Sequence, residues 1–206
     1  SKWLADLTRE SFLKEYPVEV QYNTIDTNVF KATPSDFRER FQLEDKKILL
    51  GVASAWDERK GLRDFLKLSN MLNSEYVIVL VGLTQKEIID VQNTTEKSRD
   101  INLELAEIKE DQITRLPAGC VVPSNVHYLY KEIVGETYNY NNASKASVIC
   151  IPKTNNVKEL VEIYTTADYF LNPTYEDNYP TVNLEARACG TFVITYNTGG
   201  CAETLQ

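Results

Sequence analysis

Three carboxylates crowd one short stretch of the chain, YEDNYPTVNLEARAC, where Glu176, Asp177 and Glu185 surround the start of an apolar helix. Ionised carboxylates accept hydrogen bonds from hydroxyl donors such as those of a sugar, and each costs free energy to desolvate unless it is paired. Pro180 suits a first helical turn, because its missing N–H would be unpaired there in any case. The backbone N–H groups from Thr181 to Asn183 should then point out of the helix start, where they could hold a phosphate. Glu185 falls about one turn inside, and at ~1.5 Å rise per residue it stays within reach of a ligand that Asp177 also touches.

Two further segments carry similar chemistry. In WDERKGL, Arg59 and Lys60 are adjacent cations, and Gly61 permits close backbone approach. In NTGGCAE, Gly199 and Gly200 follow a strand and open onto Glu203, which makes a second candidate anion cradle. Each feature also has a plain structural alternative. Asp177 could be a helix N-cap, Glu185 could pair with Arg187, the two cations could form a solvated loop, and the double glycine a simple turn. No G-x-G-x-x-G or Walker loop occurs, which weighs against nicotinamide binding and P-loop phosphoryl transfer.

The elements that must position these residues follow an alternating rhythm. Short β-branched runs at Val18–Gln21, Lys47–Ala53, Tyr76–Val81, Ser147–Ile151, Tyr169–Asn172 and Phe192–Tyr196 predict strands. Between them, Leu62, Phe65, Leu66, Leu68, Met71 and Leu72 form a helical stripe, as do Val157, Leu160, Val161 and Tyr164. The pattern predicts an α/β fold: a Rossmann-like, mainly parallel sheet with helices on both faces. In such sheets ligands bind at the carboxyl ends of the strands, which is where all three segments fall. The polar stretch at about 90–145 exceeds the usual connection length and reads as an insertion, with one helix through Ile101, Leu105 and Ile108 and a strand in NVHYLYKEI. The 206 residues are expected to form one domain, and both ends of the chain look cut from a longer protein.

Composition narrows the function classes. The net charge is −8 and there is no basic run, so a nucleic-acid partner is not expected. One histidine, His127, makes a catalytic triad or a histidine metal site improbable. The four cysteines (Cys120, Cys150, Cys189 and Cys201) show no metal-binding spacing; Cys150 and Cys189 read as small core residues of a reduced, cytosolic protein. No signal peptide and no apolar run long enough to span a membrane is present.

The segment from Asp177 to Glu185 resembles the E-x7-E motif of the retaining GT-B glycosyltransferases, the large family of glycosyl transferases group 1. The longer block ELVEIYTTADYFLNPTYEDNYPTVNLEARACGTFVITYNTGGCAET resembles that family's carboxyl-terminal domain throughout. YNTIDTNVF is similar to its domain-entry motif and RKG to its basic phosphate-binding motif. The resemblance implies one Rossmann-like half of a GT-B fold, which binds a nucleoside diphosphate sugar. By the same resemblance Asp177 contacts the donor sugar, Glu185 the ribose hydroxyls, the backbone near Thr181 and Val182 the diphosphate, and Lys60 a phosphate. No metal or other cofactor is implied.

Three departures stand out. Asp177 replaces the usual glutamate, with Glu176 beside it as a substitute. Ser54 replaces an arginine six residues before the lysine, so Arg59 is expected to take over that contact. Asn178-Tyr179-Pro180 replaces Gly-Phe-Gly, altering the backbone approach to the sugar. The resemblance further implies a partner amino-terminal acceptor domain not contained in this chain, bacterial polysaccharide or glycoconjugate synthesis, and a cytoplasmic setting with peripheral association at the inner membrane face. Two other readings stay open on the sequence: a GT-B sugar-nucleotide epimerase, and a non-catalytic module that kept the fold.

Overall fold

The computed structural model describes residues 1–91, 146–154 and 156–206. The expected insertion helix and strand, His127 and Cys120 lie outside the described residues. Helix α1 (Lys2–Glu10) and short α2 (Phe37–Phe41) precede the sheet. Then follow β1 (Lys47–Val52), a 3₁₀ turn (Glu58–Lys60), α3 (Leu62–Met71), β2 (Tyr76–Val81), β3 (Ser147–Ile151), α4 (Val157–Thr166), β4 (Tyr169–Asn172), α5 (Thr181–Ala188) and β5 (Phe192–Thr195). A final 3₁₀ turn covers Ala202–Leu205.

The described strands form one five-stranded sheet in the order β3-β2-β1-β4-β5, and every pairing is parallel. A parallel sheet with helices on both faces buries both sets of side chains, and alternation sorts them. Ile48, Leu50, Val77, Val79 and Phe170 pack on one face with Phe37, Val161 and Tyr164. Leu49, Ile78 and Leu80 face the other way, against Phe65, Trp56 and Leu72. The continuous apolar run of β2, buried along its whole length, follows from this double cover. Cys189 is buried and Cys150 half-buried, both as free thiols.

One expected strand is absent. Val18–Gln21 forms no regular element, with Val18 and Val20 half-covered, and it joins no described strand. β-propensity without an available sheet edge makes no ladder. The strands expected to reach Ala53 and Tyr196 each end one residue earlier, although the N–H of Ala53 still donates to Val81 and that of Tyr196 to Asn172.

β1 lies at the centre, with β2 on one side and β4 on the other. The chain winds outward from β1 through β2 to β3, then returns to start again at β4. Connections leaving β1 and β4 therefore diverge, which opens a crevice at their carboxyl ends. The loops that occupy it are 53–61 and 173–180, the two that carry the predicted cations and carboxylates.

Candidate functional site

Each loop is shaped by short-range hydrogen bonds. After β1, Asp57 caps the 3₁₀ turn: its Oδ1 accepts from the backbone N–H groups of Arg59 (3.0 Å) and Lys60 (3.2 Å). Its Oδ2 takes the guanidinium of Arg59 at 2.8 Å. These donors, the Arg59 side chain foremost, hold the Asp57 carboxyl below its ordinary range against the opposing effect of desolvation. Gly61 ends the turn at φ +72°, and a Cβ there would stand 2.5 Å from the carbonyl oxygen of Pro173. Both the left-handed backbone and the close approach require glycine.

That approach brings the two loops together. The carbonyl of Arg59 accepts from the N–H of Tyr175 at 2.7 Å and from the hydroxyl of Thr174 at 3.1 Å. Lys60, now facing the second loop, places Nζ 2.7 Å from Oδ2 of Asp177. The other oxygen of Asp177 accepts from the N–H of Tyr179 at 3.2 Å, which closes a tight turn ahead of α5. Asp177 is thus a turn former and ion-pair partner, while the helix N-cap is Pro180. Glu176 is exposed.

The double glycine supports this loop from behind. A Cβ on Gly199 would lie 2.1 Å from the carbonyl oxygen of Asp177, and one on Gly200 would lie 2.0 Å from that of Asn178. The N–H of Gly200 donates to Asp177 at 3.0 Å. The N–H of Gly200, expected to face an anion, is thus taken by the chain itself. Glu203 is likewise engaged: it accepts from the N–H groups of Lys2 (2.7 Å) and Trp3 (2.8 Å), and from the hydroxyl of Tyr22 (3.1 Å). Desolvation pushes its carboxyl up, but these donors at the start of α1 prevail and hold it low.

The start of α5 is fixed by a buried amide chain that sequence reading missed. Asn172, at the end of β4, donates to Asn183 at 2.9 Å, and Asn183 donates to the hydroxyl of Thr204 at 2.8 Å. The available signal was a polar residue at a core-facing position of an apolar helix. The N–H of Asn183 donates to the carbonyl of Pro180 at 3.2 Å, so the expected set of unpaired amides shrinks to Thr181 and Val182.

One turn into α5, Glu185 does not pair with Arg187, whose guanidinium reaches the carbonyl of Thr204. Instead, its Oε2 accepts from the hydroxyl of Tyr164 on α4 at 3.0 Å. Burial raises the Glu185 carboxyl above its ordinary value, opposed by hydrogen bonds from Tyr164 and Thr181. Its charge in turn adds to the burial that lifts the nearby Cys189 thiol to about 11.

The structure therefore joins Lys60 to the Asp177–Asn178–Tyr179 turn, directly ahead of the α5 start that carries Thr181, Val182 and, one turn on, Glu185. Arg59 sits on the same loop, but its guanidinium is exposed and held by Asp57 rather than by Asp177. Ser54 is exposed just after β1. At the opposite end of the sheet, an open depression lined by Thr33, Pro34, Arg38 and Asp168 has a different job. There the Arg38–Asp168 pair, at 2.7 Å, ties the amino ends of β1 and β4 together through backbone hydrogen bonds.

A five-stranded parallel sheet in this order is Rossmann-like, and its likeness to solved structures makes it one half of a GT-B fold. Residues 133–206 match the family "Glycosyl transferases group 1". Over 98% of its length the chain is 25% identical to an N,N'-diacetylbacillosaminyl-diphospho-undecaprenol alpha-1,3-N-acetylgalactosaminyltransferase of Campylobacter jejuni, and spans 42% of that relative. Among solved structures, Anabaena HepE in complex with UDP and glucose superposes with a TM-score of 0.58 at 16% identity, covering 98% of this chain and 44% of that one. The carboxyl-terminal domain of a glycosyl transferase group 1 protein from Francisella tularensis gives 0.51 at 14% identity, covering 84% and 70%. The family match thus falls on the carboxyl-terminal third of the chain, and the match to the Campylobacter relative on nearly all of it. No helix among the described residues is long and apolar enough to cross a membrane.

Proposed function

We propose that this domain binds the nucleoside diphosphate sugar donor of a retaining glycosyltransferase active in bacterial polysaccharide or glycoconjugate synthesis. One observation carries the reading: Lys60 and Asp177 meet beside the open start of α5, at the switch point of the sheet. In this reading the diphosphate docks on the N–H groups of Thr181 and Val182 and draws the Lys60 ammonium towards itself. Asp177, released from that pair, accepts from a hydroxyl of the donor sugar, and Glu185 accepts from the ribose hydroxyls. Lys60 then neutralises charge developing on the leaving nucleoside diphosphate, with no metal ion needed. Arg59 adds positive charge at the mouth, and the backbone at Asn178 and Tyr179 borders the sugar, with Ser54 across the crevice.

The acceptor site and the remaining catalytic groups belong to an amino-terminal domain of the same protein, so the 206-residue chain binds the donor without turning it over. The protein works in the cytoplasm, with peripheral association at the inner face of the membrane. The nucleotide complex of HepE and the transferase activity named for the Campylobacter relative support this reading. A thermal-shift screen of nucleoside diphosphates and their sugars tests it, since a ligand at 100 times its Kd stabilises by ~2.7 kcal/mol. In the full-length protein, Asp177→Ala and Glu185→Ala should each abolish transfer, and Glu185→Ala should also weaken nucleotide binding. Wild-type protein that ignores every nucleotide, or isomerises the donor without acceptor, would refute the proposal.

A further inference from the structure

Tyr164 is fully buried on α4, its ring packed edge-on against Phe170 at a centroid distance of 5.6 Å. Phenylalanine would fill that volume equally well. The hydroxyl is therefore the informative atom, and in so apolar a setting it must find a partner. It donates to Oε2 of Glu185 at 3.0 Å, so α4 and α5 meet through a charge-assisted hydrogen bond. No cation pairs with Glu185 among the described residues; the other groups facing it are the Thr181 hydroxyl from its own helix and the Cys189 thiol. A carboxylate without a cation depends on its neutral donors for both orientation and ionisation.

We propose that Tyr164 is a positioning residue: its hydroxyl clamps Oε2 of Glu185 and thereby presents the rest of the carboxylate, ionised, to a vicinal hydroxyl pair of the nucleotide. The inference rests on the donor-binding reading above. It adds a residue 21 positions before Glu185, on a different helix, that touches no substrate. The sign of the effect follows from the chemistry: a donor to the charged form lowers a carboxyl's pKa, so removing it raises that pKa further. Nucleotide binding that needs the carboxylate is then lost at higher pH.

The test compares wild type and Tyr164→Phe in the full-length protein through two readouts. One is the titration of the Glu185 carboxyl, followed by carbon-13 NMR in the absence of ligand. The other is the affinity for nucleoside diphosphates measured calorimetrically between pH 5 and 8. The carboxyl should titrate at higher pH in the variant, and affinity should fall about tenfold on the acid side, as for loss of one hydrogen bond to a charged group. The same substitution in a Glu185→Gln background should leave the pH profile unmoved. An unshifted carboxyl titration, or an affinity loss equal at every pH, overturns the proposal. A shifted titration in a protein whose wild type binds no nucleotide identifies the donor-binding reading as the failure, and the positioning role falls with it. Should Tyr164→Phe not fold, site-specific 3-fluorotyrosine, a stronger donor of nearly the same size, should move both titrations to lower pH; no movement overturns the proposal.

Discussion

Gly190 and Gly199 form a matched pair for testing what holds the Asp177 loop. Both have positive φ, +87° and +54°. They differ in what an added methyl would meet. At Gly190 it would touch only the Cβ of Ala32, at 3.9 Å, whereas at Gly199 it would lie 2.1 Å from the carbonyl oxygen of Asp177. Alanine at 190 thus costs only its backbone conformation, about 1–2 kcal/mol. Alanine at 199 costs the same and must also push the Asp177 carbonyl away from Gly200, forfeiting a hydrogen bond worth about 1 kcal/mol. The total is about 2–3 kcal/mol, and the lower entropy of the unfolded alanine chain offsets both variants by the same ~0.4–1 kcal/mol.

Urea unfolding followed by Trp fluorescence measures the stability difference, and a nucleotide titration of the folded protein measures the effect on the site. Gly199→Ala should lose more stability than Gly190→Ala, and it alone should lose nucleotide affinity, because displacing residue 177 also displaces the turn that sets the adjacent start of α5. Equal stability losses with unchanged affinity in both variants would refute the argument that the double glycine sets the site.

Three further expectations follow from the same geometry. Lys60→Met should change stability by less than ~1 kcal/mol, because the Lys60–Asp177 pair is partly solvated; nucleotide affinity should nevertheless fall at least tenfold, with weaker salt dependence by calorimetry. Glu185→Gln should raise the thermal midpoint of the ligand-free protein at neutral pH while weakening nucleotide binding. A carboxyl raised above its ordinary 4.5 holds its proton longer when folded than when unfolded, so stability declines as pH rises through that interval and the gain from Gln should vanish below it. Asn183→Ala should cost ~1–3 kcal/mol in urea unfolding by leaving Asn172 and Thr204 without their shared partner.

What could be read from sequence divides by the range of the interaction. β1 and β2 were legible because strands covered on both faces are continuous apolar runs. The helices were legible because their stripes repeat within a few residues. The Lys60–Asp177 meeting was expected only as a shared sheet edge; the contact itself depends on Gly61 letting Pro173 approach. Arg59 pairs with Asp57, its neighbour two residues earlier, a local contact that the cation pair in the sequence does not mark. Val18–Gln21 carries strand residues, but pairing needs an available edge, which composition cannot report. Glu203 and Tyr164 act on segments far away in the chain, at the start of α1 and on α5, and no local pattern marks such contacts.

The carboxylates around this crevice are not equivalent, and their differences separate architecture from function. Asp57 is satisfied by its own turn and by Arg59, and Glu203 by the start of α1; both carboxyls sit below their ordinary range. Asp177 has Lys60. Glu185 alone among these four is left without a cation or a helix start, and its carboxyl is raised by burial that its two neutral donors do not offset. A fold selected only for stability would replace such a group with an amide or an apolar side chain, since an under-compensated buried charge is a standing cost. On the donor-binding reading the Lys60–Asp177 pair has the complementary property: it holds while the crevice is empty and separates when a stronger anion arrives. A ligand that brings both hydroxyl donors and a diphosphate relieves the first and recruits the second. On the donor-binding reading a nucleoside diphosphate meets both requirements at once, so Glu185→Gln and Lys60→Met should each weaken nucleoside diphosphate binding, whereas inorganic phosphate binding should weaken only in Lys60→Met; equal losses for the two ligands in both variants would refute the division of roles.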